Sequence, residues 1–63
     1  MPEQVGKIIA VYGPVVDVQF DQSTTPPGVY EVLRVSTLEG APVVLEVMEH
    51  REAQVCRCIA LGP

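Results

Sequence analysis

The chain of 63 residues has no tryptophan and only three aromatic residues, which are Tyr12, Phe20 and Tyr30. Its four basic side chains are outnumbered by eight acidic ones, so the net charge is −4. The scarcity of aromatic and basic residues disfavours nucleic-acid binding, which needs a basic face and aromatic rings for base stacking. The acidic charge also disfavours docking on anionic lipid. The core must then be thin and aliphatic, and in so short a chain this predicts that neighbours contribute stability.

Sequence motifs of catalysis are missing as well. The chain contains neither of the glycine-rich phosphate-binding patterns, G-x-x-x-x-G-K-[ST] or G-x-G-x-x-G, and no serine lies in G-x-S-x-G. We therefore expect no catalysis and no cofactor in this chain alone. It also shows no signal-peptide pattern, no arginine-rich transit peptide and no apolar run long enough to span a membrane. These features favour the cytosol of a bacterium or archaeon.

The two cysteines, Cys56 and Cys58, are too few for a disulfide framework. On one strand they point to the same side, near the outer limit of the Cα spacing of a disulfide, so reduced thiols are the simpler interpretation. Together with His50 they are candidate zinc ligands, and Glu46 or Glu49 would have to supply the fourth position. Because the usual zinc spacing is Cys-x-x-Cys, we expect packing cysteines, a turn histidine and no metal.

The strongest structural signal is a pair of apolar runs, Lys7–Tyr12 and Val15–Phe20, joined by Gly13-Pro14. β-Branched residues dominate both runs and favour extended backbone, whereas Gly-Pro is a turn signal. Apolar side chains of the second run share one face, namely Val16, Val18 and Phe20. This period of two predicts a β-hairpin with one wall facing a core. Gly6 in the first strand indicates a bend or a close backbone contact.

Similar patterns predict five strands after the polar lead-in Met1–Gln4. They are Val5–Tyr12, Val15–Phe20, Val29–Val35, Pro42–Glu49 and Val55–Leu61. Two prolines in the loop 21–28 stop any helix there, and Glu39-Gly40 predicts a hairpin turn. In the fourth strand the alternation places three side chains inward: Val43, Leu45 and Val47. A short helix over Glu46–Gln54 is the alternative, because Glu, Met and Ala favour helices.

Five strands and short turns predict a single all-β domain over residues 1–63. The chain is too short for two full sheets, and closing one sheet hides its edge strands. We therefore expect a small closed or nearly closed antiparallel β-barrel of five to six strands.

Three charged residues on these strands are candidates for a subunit interface: Asp17, Glu46 and Arg57. Alternation places Asp17 on the outer, solvent-facing side of its strand. Arg57 shares a face with Val55 and Ile59, so its stem can cover apolar surface while its guanidinium reaches a carboxylate, with Glu46 as a candidate. A solvated face and a contact to an adjacent subunit both remain open for these residues.

Three segments together resemble the β subunit of the F-type ATP synthase. Gly6–Phe20 (GKIIAVYGPVVDVQF) resembles its opening, in which a strand is followed by Gly-x-Val-Val-Asp-Val-x-Phe. Val43–His50 (VVLEVMEH) is similar to Leu-Val-Leu-Glu-Val-x-x-His, and Arg57–Leu61 is similar to the Val-Arg-Thr/Cys-Ile-Ala ending. Pro26-Pro27 resembles the Leu-Pro-Pro segment of the family. The matches follow the family's order along most of the chain.

This resemblance implies the N-terminal, six-stranded crown barrel, as a fragment of a longer subunit. It also implies a ring in which three such barrels alternate with three from α-type subunits and hold a hexamer together. The parent complex would lie peripherally on the membrane and couple an ion gradient to ATP synthesis or hydrolysis. ATP, ADP and Mg²⁺ would bind to a downstream domain.

Two positions depart from the family pattern. Arg51-Glu52 stands where Leu-Gly is usual, so we expect a reshaped turn, and Cys56 replaces a valine. Two alternatives stay open beside the assembly domain. One is a free-standing barrel of the oligonucleotide-binding type, and the other is a zinc or thiol module.

Overall fold

The computed structural model describes residues 6–36 and 40–61. Those residues form five antiparallel strands: β1 (Gly6–Tyr12), β2 (Val15–Phe20), β3 (Val32–Ser36), β4 (Pro42–Arg51) and β5 (Val55–Leu61). The strand order is β1-β2-β5-β4-β3, so β1 and β3 are the two edges of a curled half-barrel. The described ranges contain no helix, and hence none long and apolar enough to cross a membrane. The predicted all-β barrel class is confirmed.

The predicted limits of β2 and β5 are those observed, but β4 and β3 differ. The fourth strand continues to Arg51, and the alternative helix over Glu46–Gln54 is wrong. The third strand begins at Val32 instead of Val29. A turn precedes it, because the amide of Glu31 donates a hydrogen bond to the carbonyl of Gly28 over 3.0 Å. Three predicted features lie outside the described residues: the lead-in Met1–Gln4, the strand start at Val5 and Glu39 of the hairpin turn.

The inner face of the half-barrel carries a core of seven buried side chains, and β3 contributes to it only at its margin. The core residues are Val16, Val18, Phe20, Leu45, Val47, Cys56 and Cys58. Val43 packs against this group and is partly buried, so the predicted inward face of β4 is confirmed. Strict alternation on β2, β4 and β5 brings these residues together, because antiparallel partners in register share a face.

The loop between β2 and β3 is tied to the strands by several hydrogen bonds. Gln54 donates through Nε2 to the carbonyls of Asp21 (3.0 Å) and Thr24 (2.8 Å). Gln54 lies in the β4–β5 turn, where it and Ala53 have positive φ values of 64° and 60°. Such values are uncommon for residues other than glycine. The turn therefore holds its backbone in an unusual conformation while its amide side chain secures the loop.

The hairpin of β1 and β2 has a close backbone contact at Gly6, as its place in the strand predicts. A Cβ atom on this residue would lie 2.6 Å from Cγ1 of Val18 and 2.8 Å from Cε1 of Phe20. Both contacts are with core side chains, so the methyl group could not enter without displacing them. Only glycine fits at this position without a steric clash, because a Cβ atom would collide with the side chains of Val18 and Phe20.

Replacement of Gly6 by alanine is therefore expected to destabilise the chain by about 1–3 kcal/mol through overpacking. Urea unfolding followed by circular dichroism measures the loss. In a Val18→Ala background the added methyl finds room, and the same replacement should cost less. An equal cost in both backgrounds would show that the crowding is not the cause.

Candidate functional site

The outer face of the sheet carries two rows of side chains that run across the strands. We call one the polar row; successive pairing in register joins Ala10, Asp17, Arg57 and Glu49. The other, the apolar row, joins Tyr12, Val15, Ile59, Glu46 and Val32 in the same way and crosses all five strands. Both rows lie opposite the core, because their members alternate with the buried residues of each strand.

The centre of the polar row is a two-point ion pair between β2 and β5. Nε of Arg57 donates to Oδ1 of Asp17 over 2.9 Å, and Nη2 donates to Oδ2 over 3.0 Å. Asp17 is only 6% exposed, although it lies on the outer face. Two parallel hydrogen bonds of this kind are stronger and more directional than a single contact. The pair joins the β1–β2 hairpin to the β4–β5 hairpin.

This pair also sets the electrostatics of the outer face. The hydrogen bond from Arg57 lowers the pKa of the Asp17 carboxyl, and the charge of Arg57 lowers it further against the opposing effect of burial. The hydrogen bond to Asp17 in turn raises the pKa of Arg57. Cζ of Arg57 lies 5.9 Å from the ring centroid of Tyr12, within cation–π range. The three side chains therefore form one charge-balanced cluster beside the apolar row.

Two expectations for the charged residues are corrected here. The carboxylate that Arg57 reaches is that of Asp17, not Glu46, because the strand register places Asp17 directly opposite Arg57. On β4 an irregularity between Val47 and Glu49 puts Glu49 beside Arg57 and leaves Glu46 opposite Ile59. Asp17 lies on the predicted face but is shielded there from solvent instead of pointing into it.

Glu46 is the remaining member of the predicted interface set, and its two partners across the strands are apolar. Arg34 lies on the same face of β3, opposite Val44, and makes no ion pair with Glu46. Glu46 is half-buried in the apolar row, with Ile59 on one side and Val32 on the other. Within the described ranges its carboxylate makes no hydrogen bond or ion pair with another residue. An acid between two apolar cross-strand partners and without an ion pair is suited to accept a cation from outside the chain.

His50 and the two cysteines share the inner face, where His50 and Cys56 contact the same backbone carbonyl oxygen. Nε2 of His50 lies 2.7 Å from the carbonyl oxygen of Pro27, and the Cys56 thiol donates more weakly to that oxygen over 3.9 Å. Burial raises the pKa of Cys56, and it raises the pKa of Cys58 to about 11 with smaller contributions from Cys56 and Asp17. These shifts favour the thiol over the thiolate that zinc binds.

Residues 6–36 and 40–61 contain no group of three His, Cys, Asp or Glu side chains that could hold a metal ion. A groove of about 750 Å³ lies beside the β4–β5 turn and is open to solvent. It is lined by Ile9, Asp17, His50, Arg51, Glu52 and Val55. The charges at this groove are partly neutralised within the chain, since Nη1 of Arg51 lies 3.2 Å from Oε1 of Glu49.

Comparison with protein families adds an independent finding to this geometry. A family model described as the ATP synthase alpha/beta family, beta-barrel domain, matches residues 8–63. The match includes all of β2 to β5 and most of β1. The family implies part of the α/β hexameric assembly of ATP synthase. The chain belongs to the ATP synthase alpha/beta family, whose β-barrel domain it carries.

Proposed function

We propose that this chain is the assembly barrel of a catalytic β-type subunit, and that it packs beside α-type barrels to hold a hexameric ring. In this proposal it is a fragment of a longer subunit. A downstream domain, absent from these 63 residues, would bind ATP, ADP and Mg²⁺ and carry the chemistry. The barrel itself would be neither enzyme nor cofactor site, and the parent complex would couple an ion gradient to ATP synthesis.

One observation carries the assembly role: the described surface exposes more large hydrophobic side chains than the core buries. Nine are exposed, namely Ile8, Ile9, Val11, Tyr12, Val29, Tyr30, Val32, Met48 and Leu61, against seven hydrophobic residues in the core. Clusters of exposed apolar side chains mark interaction surfaces in soluble proteins, whereas single exposed ones are normal. Seven of the nine lie on β1 or in the segment 29–32 that leads into β3, at the two open edges of the sheet.

The two edges give this surface an arrangement that suits a ring. A ring is built from head-to-tail contacts, in which two different surfaces of each subunit meet. Edge β1 carries apolar side chains with Lys7 as its one charge, while the other edge presents Val29, Tyr30 and Val32 beside the exposed charges of Glu31 and Arg34. Distinct apolar surfaces at the two edges therefore support lateral contacts with neighbours on both sides.

Sedimentation velocity tests this proposal with the chain and the N-terminal barrel of an α-type subunit. We expect a weak, concentration-dependent complex toward millimolar concentrations, because a single barrel contact is small and a ring gains affinity from many. Independent sedimentation of the two proteins over the whole range would contradict the assembly role.

A titration with single-stranded DNA at low salt should give no signal, whereas micromolar binding would favour the oligonucleotide-binding alternative.

A further inference from the structure

We propose that the apolar row is the surface on which a neighbouring α-type barrel docks, and that Glu46 receives a basic side chain from that barrel. This inference rests on the proposed assembly function and assigns its contact surface. It replaces the interface set expected from the sequence, because Asp17 and Arg57 already satisfy each other within the chain.

The composition of the row is unusual for its position. The outer face of an antiparallel sheet is commonly polar when it faces water. Here four of the five members are apolar, and the residues at its two ends, Tyr12 and Val32, are 61% and 55% exposed. The adjacent pair of Val44 and Leu61 lies on the same face and widens the apolar surface on β4 and β5.

Glu46 indicates the chemistry of the partner. A partner that covered this half-buried carboxylate with apolar groups alone would remove its remaining water at a large cost. A lysine or arginine side chain from the partner would compensate that loss of hydration. The net charge of −4 on the chain also favours a partner with a basic surface. The docking barrel should therefore present apolar side chains around one cation.

The size of the row indicates how the partner is held. Four strand spacings of about 4.8 Å give a length of about 19 Å, and the row is only one to two side chains wide. Such a strip covers less than the roughly 800 Å² per partner of a stable binary complex. A freely diffusing protein would bind it weakly, whereas an adjacent barrel kept in place by the rest of a ring would occupy it.

Chemical-shift mapping of the ¹⁵N-labelled chain with an unlabelled α-type N-terminal barrel tests this assignment. The largest shifts are expected on the apolar row. Val32→Asp should weaken binding by about tenfold or more, which corresponds to a loss of about 1.4 kcal/mol. Gln22→Asp is the control, because Gln22 is exposed in the loop between β2 and β3, so the variant adds the same negative charge outside the row and outside both apolar edges. It should change binding less than about twofold.

Glu46 supplies the second arm of the test. Glu46→Gln should weaken binding and reduce its salt dependence, and Glu46→Arg should weaken it further by repelling the partner's cation. Folding of every variant is checked by its own spectrum.

Four outcomes overturn the assignment. If binding occurs with shifts away from the row, or if Gln22→Asp and Val32→Asp weaken it equally, the assignment fails while the assembly function stands. If the chain shows these shifts more strongly with a second copy of itself, the α-type occupant is wrong. If no shifts occur at millimolar concentration, both the assignment and the assembly function fail.

Discussion

Replacement of Leu45 by alanine is expected to unfold most of the chain at room temperature. Leu45 is 1% exposed at the centre of β4 and is one of seven core residues in the part of the chain that the structure describes. Truncating a buried leucine costs about 2–5 kcal/mol, since it removes apolar contacts and leaves a cavity. A single core in a chain of this length rarely supplies more than about 3–5 kcal/mol in total. The loss is therefore comparable to the whole stability of the domain.

Circular dichroism and urea unfolding measure this effect, with Leu61→Ala as the matched control. Leu61 is on the neighbouring strand β5, but it is 43% exposed on the outer face. Its truncation should cost less than about 1 kcal/mol. If both variants lost the same stability, the inner face of the half-barrel would not be the core, and the assignment of the two faces would be wrong.

Replacement of Asp17 by asparagine is expected to remove a pH-dependent part of the stability. Asparagine keeps the shape of the side chain but loses the negative charge, and it turns an amide group toward the guanidinium of Arg57. Because the folded-state pKa of Asp17 lies below its ordinary value, its ionised form stabilises the fold at neutral pH. The variant should therefore unfold at a lower urea concentration than the parent chain at pH 7.

The sign of the pH dependence follows from the same shift. The contribution of Asp17 is fully present above the unfolded pKa of about 3.9 and is lost as the pH falls through the lower folded value. The stability of the parent chain and that of Asp17→Asn should therefore converge at the acidic end of the scale. Arg57→Lys should fall between the two at neutral pH, because lysine keeps the charge but not the two-point geometry.

Glu52→Gln is the control for this pH series. Glu52 is an exposed acid in the β4–β5 turn and does not contact Arg57. Its replacement should leave the acid part of the curve unchanged. The difference in stability between the parent chain and Asp17→Asn could instead stay constant from pH 7 down to pH 2. That result would show that the carboxylate charge does not contribute and that the variant loses stability only through its changed side-chain shape.

The sequence predicted those parts of the fold that depend on local patterns. Alternation over Val15–Phe20 and Val55–Leu61 identified two strands with their correct limits. The crowding at Gly6 followed from a glycine placed inside a strand of β-branched residues. The start of β3 was wrong because the segment before it folds into a turn at Gly28 and pairs with Val47 over a long sequence distance. The alternation of apolar and polar residues along a strand does not reveal such a contact.

The candidate site was predicted only in part, because it depends on register between distant strands. Asp17 and Arg57 are 40 positions apart, and their pairing follows from the register of β2 with β5. The irregularity between Val47 and Glu49 changes the register, so that Glu49 lies opposite Arg57. No glycine, proline or other turn residue in the sequence indicates this irregularity. The apolar row was missed for the same reason, since its members alternate with core residues on separate strands and meet only in the sheet.

The unfolding midpoint of the chain, measured at increasing concentrations of an α-type N-terminal barrel, tests the assembly role most directly. A partner that binds only the folded state stabilises it by RT ln(1 + [L]/Kd), so the midpoint should rise steadily once the partner exceeds its dissociation constant. The Val32→Asp variant should show a smaller rise. A midpoint that stays unchanged up to millimolar partner would contradict a barrel that depends on its neighbours in a ring.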